Sequence, residues 1–301
     1  MTGRTIGFGT FFYPPSQLYE ANPEKLPRIS TIKRPIVIDT TTSEGLRVLV
    51  TDDCFVCPIG KNEDEAFEFL NVLFAVFITK FHRARFITKN DICGFTWKED
   101  WDYVVAAGSL SKSLRVIQES KREDDVDYEY WSTIERQPIQ KHLMEMLIDQ
   151  SARFLDNDSF KNDLLIIGES GGMYQDELFS ISFLNSWIVI ESVIERVWEK
   201  FVKDLKRTKE ERQALKNHHS WSTSHYIEAF TFSEKLDSKG YECFTKLRKL
   251  RNDIVHRKKR EVTQENAWNC LNIAITLIYN QLNQLENPFE DVEYQIKEFD
   301  S

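Results

Sequence analysis

Apolar and polar positions follow two different rhythms along the chain. Over residues 1–60 the apolar residues come in short β-branched runs. Segments 29–38 and 46–50 read as strands, with Thr40-Thr41-Thr42 and Ser43-Glu44-Gly45 as the turn between them. Pro14, Pro15, Pro23, Pro27 and Pro35 exclude a long helix here. The period lengthens at 62–80, where Phe67, Leu70, Phe74 and Phe77 fall at helical spacing behind a capping Asn62 and an acidic first turn. Short strands are predicted at 84–88 and 92–97, and the acidic run 122–130 reads as a linker or exposed loop. From about 135 onward the spacing is helical, at 139–153, 178–205, 209–217, 224–236, 241–251 and 263–285. The strongest stripe is Phe183, Trp187, Ile190, Ile194, Val197 and Phe201, and Thr263 makes a well-formed start to the last long helix. The predicted fold is α+β: a β-rich N-terminal domain over 1–130, then an all-α bundle over 131–301.

Composition changes this picture little. A chain of 301 residues that is 41% hydrophobic and 13% aromatic can fill two ordinary cores. The longest apolar stretches, 67–81 and 184–197, are interrupted by polar residues and too short to span a bilayer, so no membrane role is expected. Residues 1–10 carry no signal pattern, and five cysteines make no disulfide framework, so the expected location is cytoplasmic. Charge narrows the options more. A net charge of −9 argues against broad nucleic-acid binding and leaves room only for a local basic patch. The run 246–260 is that patch: Lys246, Arg248, Lys249, Arg251, Arg257, Lys258, Lys259 and Arg260 face only Asp253. A solvated helix end, which favours cations in any case, is the plainer reading of the same charges.

Arg251-Asn252-Asp253-Ile254-Val255-His256 puts a guanidinium, an amide and an imidazole within six residues. Arg grips phosphate in a bidentate fork, and His exchanges protons near neutral pH. These are parts for phosphodiester chemistry on RNA that needs no metal and no cofactor. The pattern Arg251-Asn252-x-x-x-His256 resembles the motif of the HEPN superfamily of helical ribonucleases: Arg, a polar residue, three residues, His. Leu247 and Leu250 precede it, and a basic turn and an amphipathic helix follow. The upstream run 183–191, Phe-Leu-Asn-Ser-Trp-Ile-Val-Ile-Glu, is similar to the long helix before the motif in the Apea-like branch, so the resemblance covers roughly 140–290.

The resemblance implies a helical bundle that dimerises about its motif-bearing faces, with metal-independent cleavage of single-stranded RNA in antiviral defence or a toxin-like role. In that chemistry His256 acts as general base or general acid, one imidazole from each copy. Arg251 stabilises charge on the phosphoryl oxygens, and Asn252 orients the imidazole or holds a phosphate oxygen. Lys249, Arg257 and Lys258 are the expected RNA-binding cations, and Glu191 is the expected partner of Arg251. Because such an enzyme must be restrained, the N-terminal domain is expected to sense a trigger or gate it, unless a separate antitoxin does so. On a straight helix Arg251 and His256 lie roughly 140° apart, so one cleft takes both only if the helix ends or bends or the cleft is wide. Two non-catalytic readings stand beside the nuclease: a structural one, with a buried helix-end His and an Arg paired with an acid such as Glu191, and a module that uses the same basic cleft to bind RNA, nucleotide or protein.

Weaker signals are read as structural. Cys54-Phe55-Val56-Cys57 is taken as ordinary strand cysteines, since His82 and Cys93 complete no standard zinc spacing. Gly7-Phe8-Gly9 and Gly168-Glu169-Ser170-Gly171-Gly172 lack the residues of nucleotide loops and are read as turns or breaks, and Gly240 as a turn. His218, His219 and His225 are read as solvent-exposed more readily than as ligands. Phe8, Phe11, Phe12, Tyr13, Phe95, Trp97, Trp101 and Tyr103 are read as core, with base stacking as the less favoured option.

Overall fold

The computed structural model describes residues 5–12, 16–18, 33–80, 84, 86–107, 137–204, 208–211, 222–257, 261–285, 287–290 and 292. The chain divides into two compact units, Met1–Gly168 and Glu169–Ser301. The boundary expected near 130 therefore moves downstream, because 137–168 packs with the N-terminal strands and helix. The linker predicted at 122–130 lies outside the described residues.

The first unit is built on a closed barrel of six strands: β1 (Thr5–Phe11), β3 (Lys33–Thr41), β4 (Arg47–Thr51), β5 (Phe55–Pro58), β6 (Cys93–Trp97) and β7 (Tyr103–Ala107). Around the barrel they run β1-β5-β4-β3-β7-β6, and antiparallel β6 closes on β1 with Gly7 opposite Phe95. β2 (Ser16–Leu18) and β8 (Gln137–Ile139) form a separate parallel pair. Leu49, Phe55, Cys57, Cys93, Phe95, Trp97 and Val104 fill the core.

Gly7-Phe8-Gly9 lies inside β1, so the predicted turn is corrected. A Cβ on Gly7 would stand 2.6 Å from the Phe95 ring, and one on Gly9 2.5 Å from the Val56 carbonyl oxygen. The glycines give the aromatic core room at the closing seam. Thr40 and Thr41 extend β3 instead of turning, as β-branched residues favour, and the turn comes at Thr42 to Gly45 with Gly45 at φ +79°. No strand forms over 84–88 among the described residues. The Asn71 amide takes both backbone groups of Ile87, at 2.9 and 3.2 Å, and a short 3₁₀ turn, Lys89–Asp91, leads into β6.

α1 (Glu63–Thr79) starts on the predicted cap. Asn62 Oδ1 accepts from the Glu65 N–H at 3.0 Å, and Glu65 Oε2 accepts from the Asn62 N–H at 3.0 Å. Its residues from Phe69 to Thr79 are all buried because β1, β5 and α2 (Lys141–Leu155) pack around it. α3 (Asp158–Gln175) runs unbroken through Gly168, Gly171 and Gly172, which corrects the expected break. Gly168 lets the Phe86 ring come within 2.9 Å of where a Cβ would stand.

The second unit contains α4 (Phe179–Asp204), α5 (Thr223–Phe232), α6 (Ser238–Arg257) and α7 (Gln264–Leu282). α4 and α7 pack side by side and parallel: Cys270 Sγ donates to the Phe183 carbonyl at 3.5 Å, and Arg196 donates to Gln281 at 3.0 Å. Trp187 is buried, Trp198 stacks on Tyr226, and Phe289 packs against Phe230 and Phe244. The Ser170 hydroxyl bonds the Ser182 carbonyl at 2.7 Å and the Ser186 hydroxyl at 2.6 Å, all three residues being buried. The architecture is thus α+β, a six-stranded barrel followed by a mostly helical part. No helix among the described residues is long and apolar enough to cross a membrane.

Candidate functional site

α6 carries the six-residue motif, and its sequence sorts the residues by face. Phe244 and Leu247 are buried in the helical unit, while Lys249, Asn252 and His256 are exposed. The helix starts at Ser238, three residues before the predicted 241, with Asp237 accepting the Gly240 N–H at 2.7 Å. Gly240 therefore belongs to the first turn of the helix, and not to a preceding turn as the sequence suggests. A Cβ there would meet the flexible end of Leu236 at 2.5 Å.

At the other end α6 continues without a break to Arg257, so Arg251 and His256 keep the wide angular separation of a straight helix. Their surroundings differ accordingly. Asn252 and His256 line an open concavity of about 410 Å³ together with Thr245, Arg248, Lys249 and Asp253. Arg251 is absent from that lining and turns to the bundle. Its guanidinium stands 3.8 Å from Glu191 of α4 and donates to Asn252 Oδ1 at 3.2 Å. Glu191 also accepts from the Thr223 hydroxyl of α5 at 3.2 Å, so it joins α4, α5 and α6.

The expected pairing of Arg251 with Glu191 is present, and Lys249 lines the concavity. Arg257 is the last residue of α6, and Lys258 lies outside the described residues. Of the purely structural reading, the Arg251–Glu191 pair is present, whereas His256 is exposed and not buried. What the sequence reading missed is the place of Arg248 and Thr245 in the lining. The signal is present as a stripe: Arg248, Asn252 and His256 follow one another at i, i+4 and i+8.

Charge on this face is poorly neutralised. Lys246 pairs with Glu242 at 3.1 Å, whereas Arg248 and Lys249 have no carboxylate partner among the described residues. Asp253 is the acid of the lining, so the concavity stays net positive. The arrangement offers an imidazole, an amide and two cations on one surface.

No protein-family model matches the chain. Curated proteins and solved structures likewise yield no match.

The remaining candidates are structural. Cys54 occupies a left-handed turn at φ +58° and Cys57 sits in β5. Both are buried free thiols. Burial pushes the Cys57 thiol well above its ordinary range, with Asp53 adding to the shift and Arg34 opposing it. Among the described residues no group of three His, Cys, Asp or Glu stands together as a metal site. His225 Nδ1 accepts from the Ser222 N–H at 3.1 Å and so caps α5, while His82, His218 and His219 lie outside the described residues. Of the aromatic set, Phe12, Phe95 and Trp97 are buried, and Phe11 and Trp101 pack against the barrel core.

Proposed function

We propose that the chain is a metal-independent endoribonuclease that cleaves single-stranded RNA on the exposed face of α6. One observation carries this reading: His256 is exposed, hence without a packing duty, in a net-positive concavity that also holds Asn252, Arg248 and Lys249. A histidine kept for stability belongs in a partner's grip or a core.

In the proposed reaction the ribose 2′-oxygen attacks the adjacent phosphorus while the 5′-oxygen leaves. The products are a 2′,3′-cyclic phosphate and a 5′-hydroxyl. One imidazole accepts the 2′-hydroxyl proton and another protonates the leaving oxygen. The lining contains one imidazole among the described residues, so the proposal includes a homodimer that brings two copies of His256 to one strand. Asn252, its carbonyl held by Arg251, presents its amide N–H groups to the phosphate or the imidazole. Arg251 stabilises phosphoryl charge from the edge of the site, with Glu191 setting its direction. The resemblance to HEPN ribonucleases extends the proposal to a cytoplasmic role in antiviral defence or as a toxin. There the barrel unit gates the activity, or a separate antitoxin does.

A second reading has its own support. Arg251 is engaged by Glu191 and Asp253 stands in the concavity, which suits a module that holds RNA, nucleotide or protein without cleaving it. The two part at His256. Labelled single-stranded RNA is incubated in EDTA with wild type, Arg251→Ala, His256→Ala and His256→Gln, with and without cell extract. The nuclease reading expects cyclic-phosphate ends from wild type and none from the three variants. Retained RNA binding by His256→Gln with no cleavage by any protein supports the binding module. Full cleavage by wild type without extract counts against gating.

A further inference from the structure

We infer that Arg248, Lys249 and Thr245 form a subsite for a backbone phosphate of RNA, about two helical turns N-terminal to the reacting centre at His256. The inference rests on the ribonuclease reading for its substrate and adds to it residues that the six-residue motif does not contain.

The geometry is that of one continuous helix. Thr245, Arg248 and Lys249 stand at i, i+3 and i+4, so they share one patch of surface, and Asn252 and His256 continue it along the axis. At about 1.5 Å rise per residue, Arg248 and His256 are roughly 12 Å apart along the axis, with Asn252 midway. Side chains on a helix lean towards its N-terminus, so His256 covers the turn at Asn252 while Arg248 covers the turn at Thr245. A strand lying along α6 therefore meets two stations: the imidazole and amide at one, the guanidinium, ammonium and hydroxyl at the other.

Chemistry and availability agree with that division. The Arg fork offers two parallel N–H donors to phosphate oxygens, Lys adds a point charge, and the Thr hydroxyl adds a third donor. Neither Arg248 nor Lys249 spends its charge on a carboxylate among the described residues. Of the other α6 cations, Lys246 and Arg251 answer Glu242 and Glu191. Asp253, one turn beyond Lys249 on the same lining, offsets one of the two charges and leaves the patch net positive. Contacts of this kind fix register without reading sequence.

The test is binding and turnover by the full-length protein. Fluorescence anisotropy with a labelled single-stranded RNA, 2′-O-methylated against cleavage, gives Kd over a range of salt for wild type, Arg248→Ala, Arg248→Lys and Thr245→Ala. Thermal melts confirm that the variants fold. Arg248→Ala is expected to weaken binding about tenfold and to lower the salt slope by about 0.7, the loss of one phosphate contact on a single strand. Arg248→Lys, which keeps charge but not the fork, falls between. On cleavable RNA the loss appears in KM. Three results overturn the inference: wild type binds no RNA, Arg248→Ala binds with unchanged Kd and slope, or a 5′-mononucleotide binds as tightly as the strand. If wild type binds with the expected Arg248 dependence but cleaves nothing, the ribonuclease reading fails and the phosphate subsite stands.

Discussion

In the barrel unit Arg34 reaches Asp53, Arg47 holds Asp39 at 2.7 Å and Glu99 at 2.8 Å, and Lys161 bridges Glu68 and Asp158 at 3.0 Å. On α6 Arg248 and Lys249 sit side by side in a concavity and meet no carboxylate among the described residues. The first group secures the fold: Arg47 ties β4 to β3 and to the turn after β6 while lying over the Trp97 ring. The second forms no ion pair among the described residues. Paired cations mark where charge serves architecture, and the proposal assigns to a ligand the two cations that meet no carboxylate among the described residues.

The largest effect expected from this contrast is at Arg34 and Asp53. Asp53 is buried and also accepts from the Thr51 hydroxyl at 2.6 Å, so Arg34→Ala strands a buried carboxylate. Urea unfolding is expected to register a loss of about 3 kcal/mol, with RNA binding by the folded protein unchanged. A loss under about 0.5 kcal/mol, the level of an ordinary surface site, would break the comparison. Next comes Gly9→Ala, whose Cβ meets the Val56 carbonyl at 2.5 Å where β1 runs beside β5. About 1–3 kcal/mol is expected for such overpacking, read as a lowered melting temperature.

Arg251 and Glu191 should behave differently, since each is about a third exposed and they stand 3.8 Å apart. A double-mutant cycle with Arg251→Ala and Glu191→Ala is expected to give a coupling of about 0.2–1 kcal/mol in stability. A larger value would class the pair with the barrel's architectural ion pairs. The smallest effect is chemical. Burial holds the Cys243 thiol up at about 11, so it stays neutral as pH rises until that region. At pH 8 the thiolate is on the order of one part in a thousand, and alkylation of the native protein, followed by mass spectrometry, is expected to be slow. Cys57, buried deep in the barrel, is expected to react only on unfolding, and rapid labelling of either thiol contradicts the burial described.

The elements that the sequence predicts well are those specified by neighbours. Asn62 with Glu65 marks the start of α1, and Thr263, whose hydroxyl accepts the Asn266 N–H at 3.2 Å, marks that of α7. Closure of the barrel depends on Thr5 to Gly9 finding Cys93 to Trp97, a pairing that no local pattern announces. The same distance in sequence hides why Gly7, Gly9 and Gly168 are glycines, because the aromatic or backbone group each accommodates comes from elsewhere in the chain. Asn71 likewise takes the backbone of Ile87 and cancels a strand that β-branched residues suggest. At the site the motif brings Asn252 and His256 to one surface and leaves Arg251 off it, as a straight helix requires. Arg248 is legible in the sequence only as one charge in a basic run, and its place in the lining emerges once the helix is known to continue through 256.

Single-turnover cleavage of end-labelled single-stranded RNA in EDTA, comparing wild type with His256→Ala, tests the central claim most directly. With cell extract present to supply a trigger, the account predicts 2′,3′-cyclic phosphate ends from wild type and a rate at least about 10²-fold lower for His256→Ala, with its melting temperature unchanged. Equal rates for the two proteins, or a wild-type activity that disappears in EDTA, would contradict it.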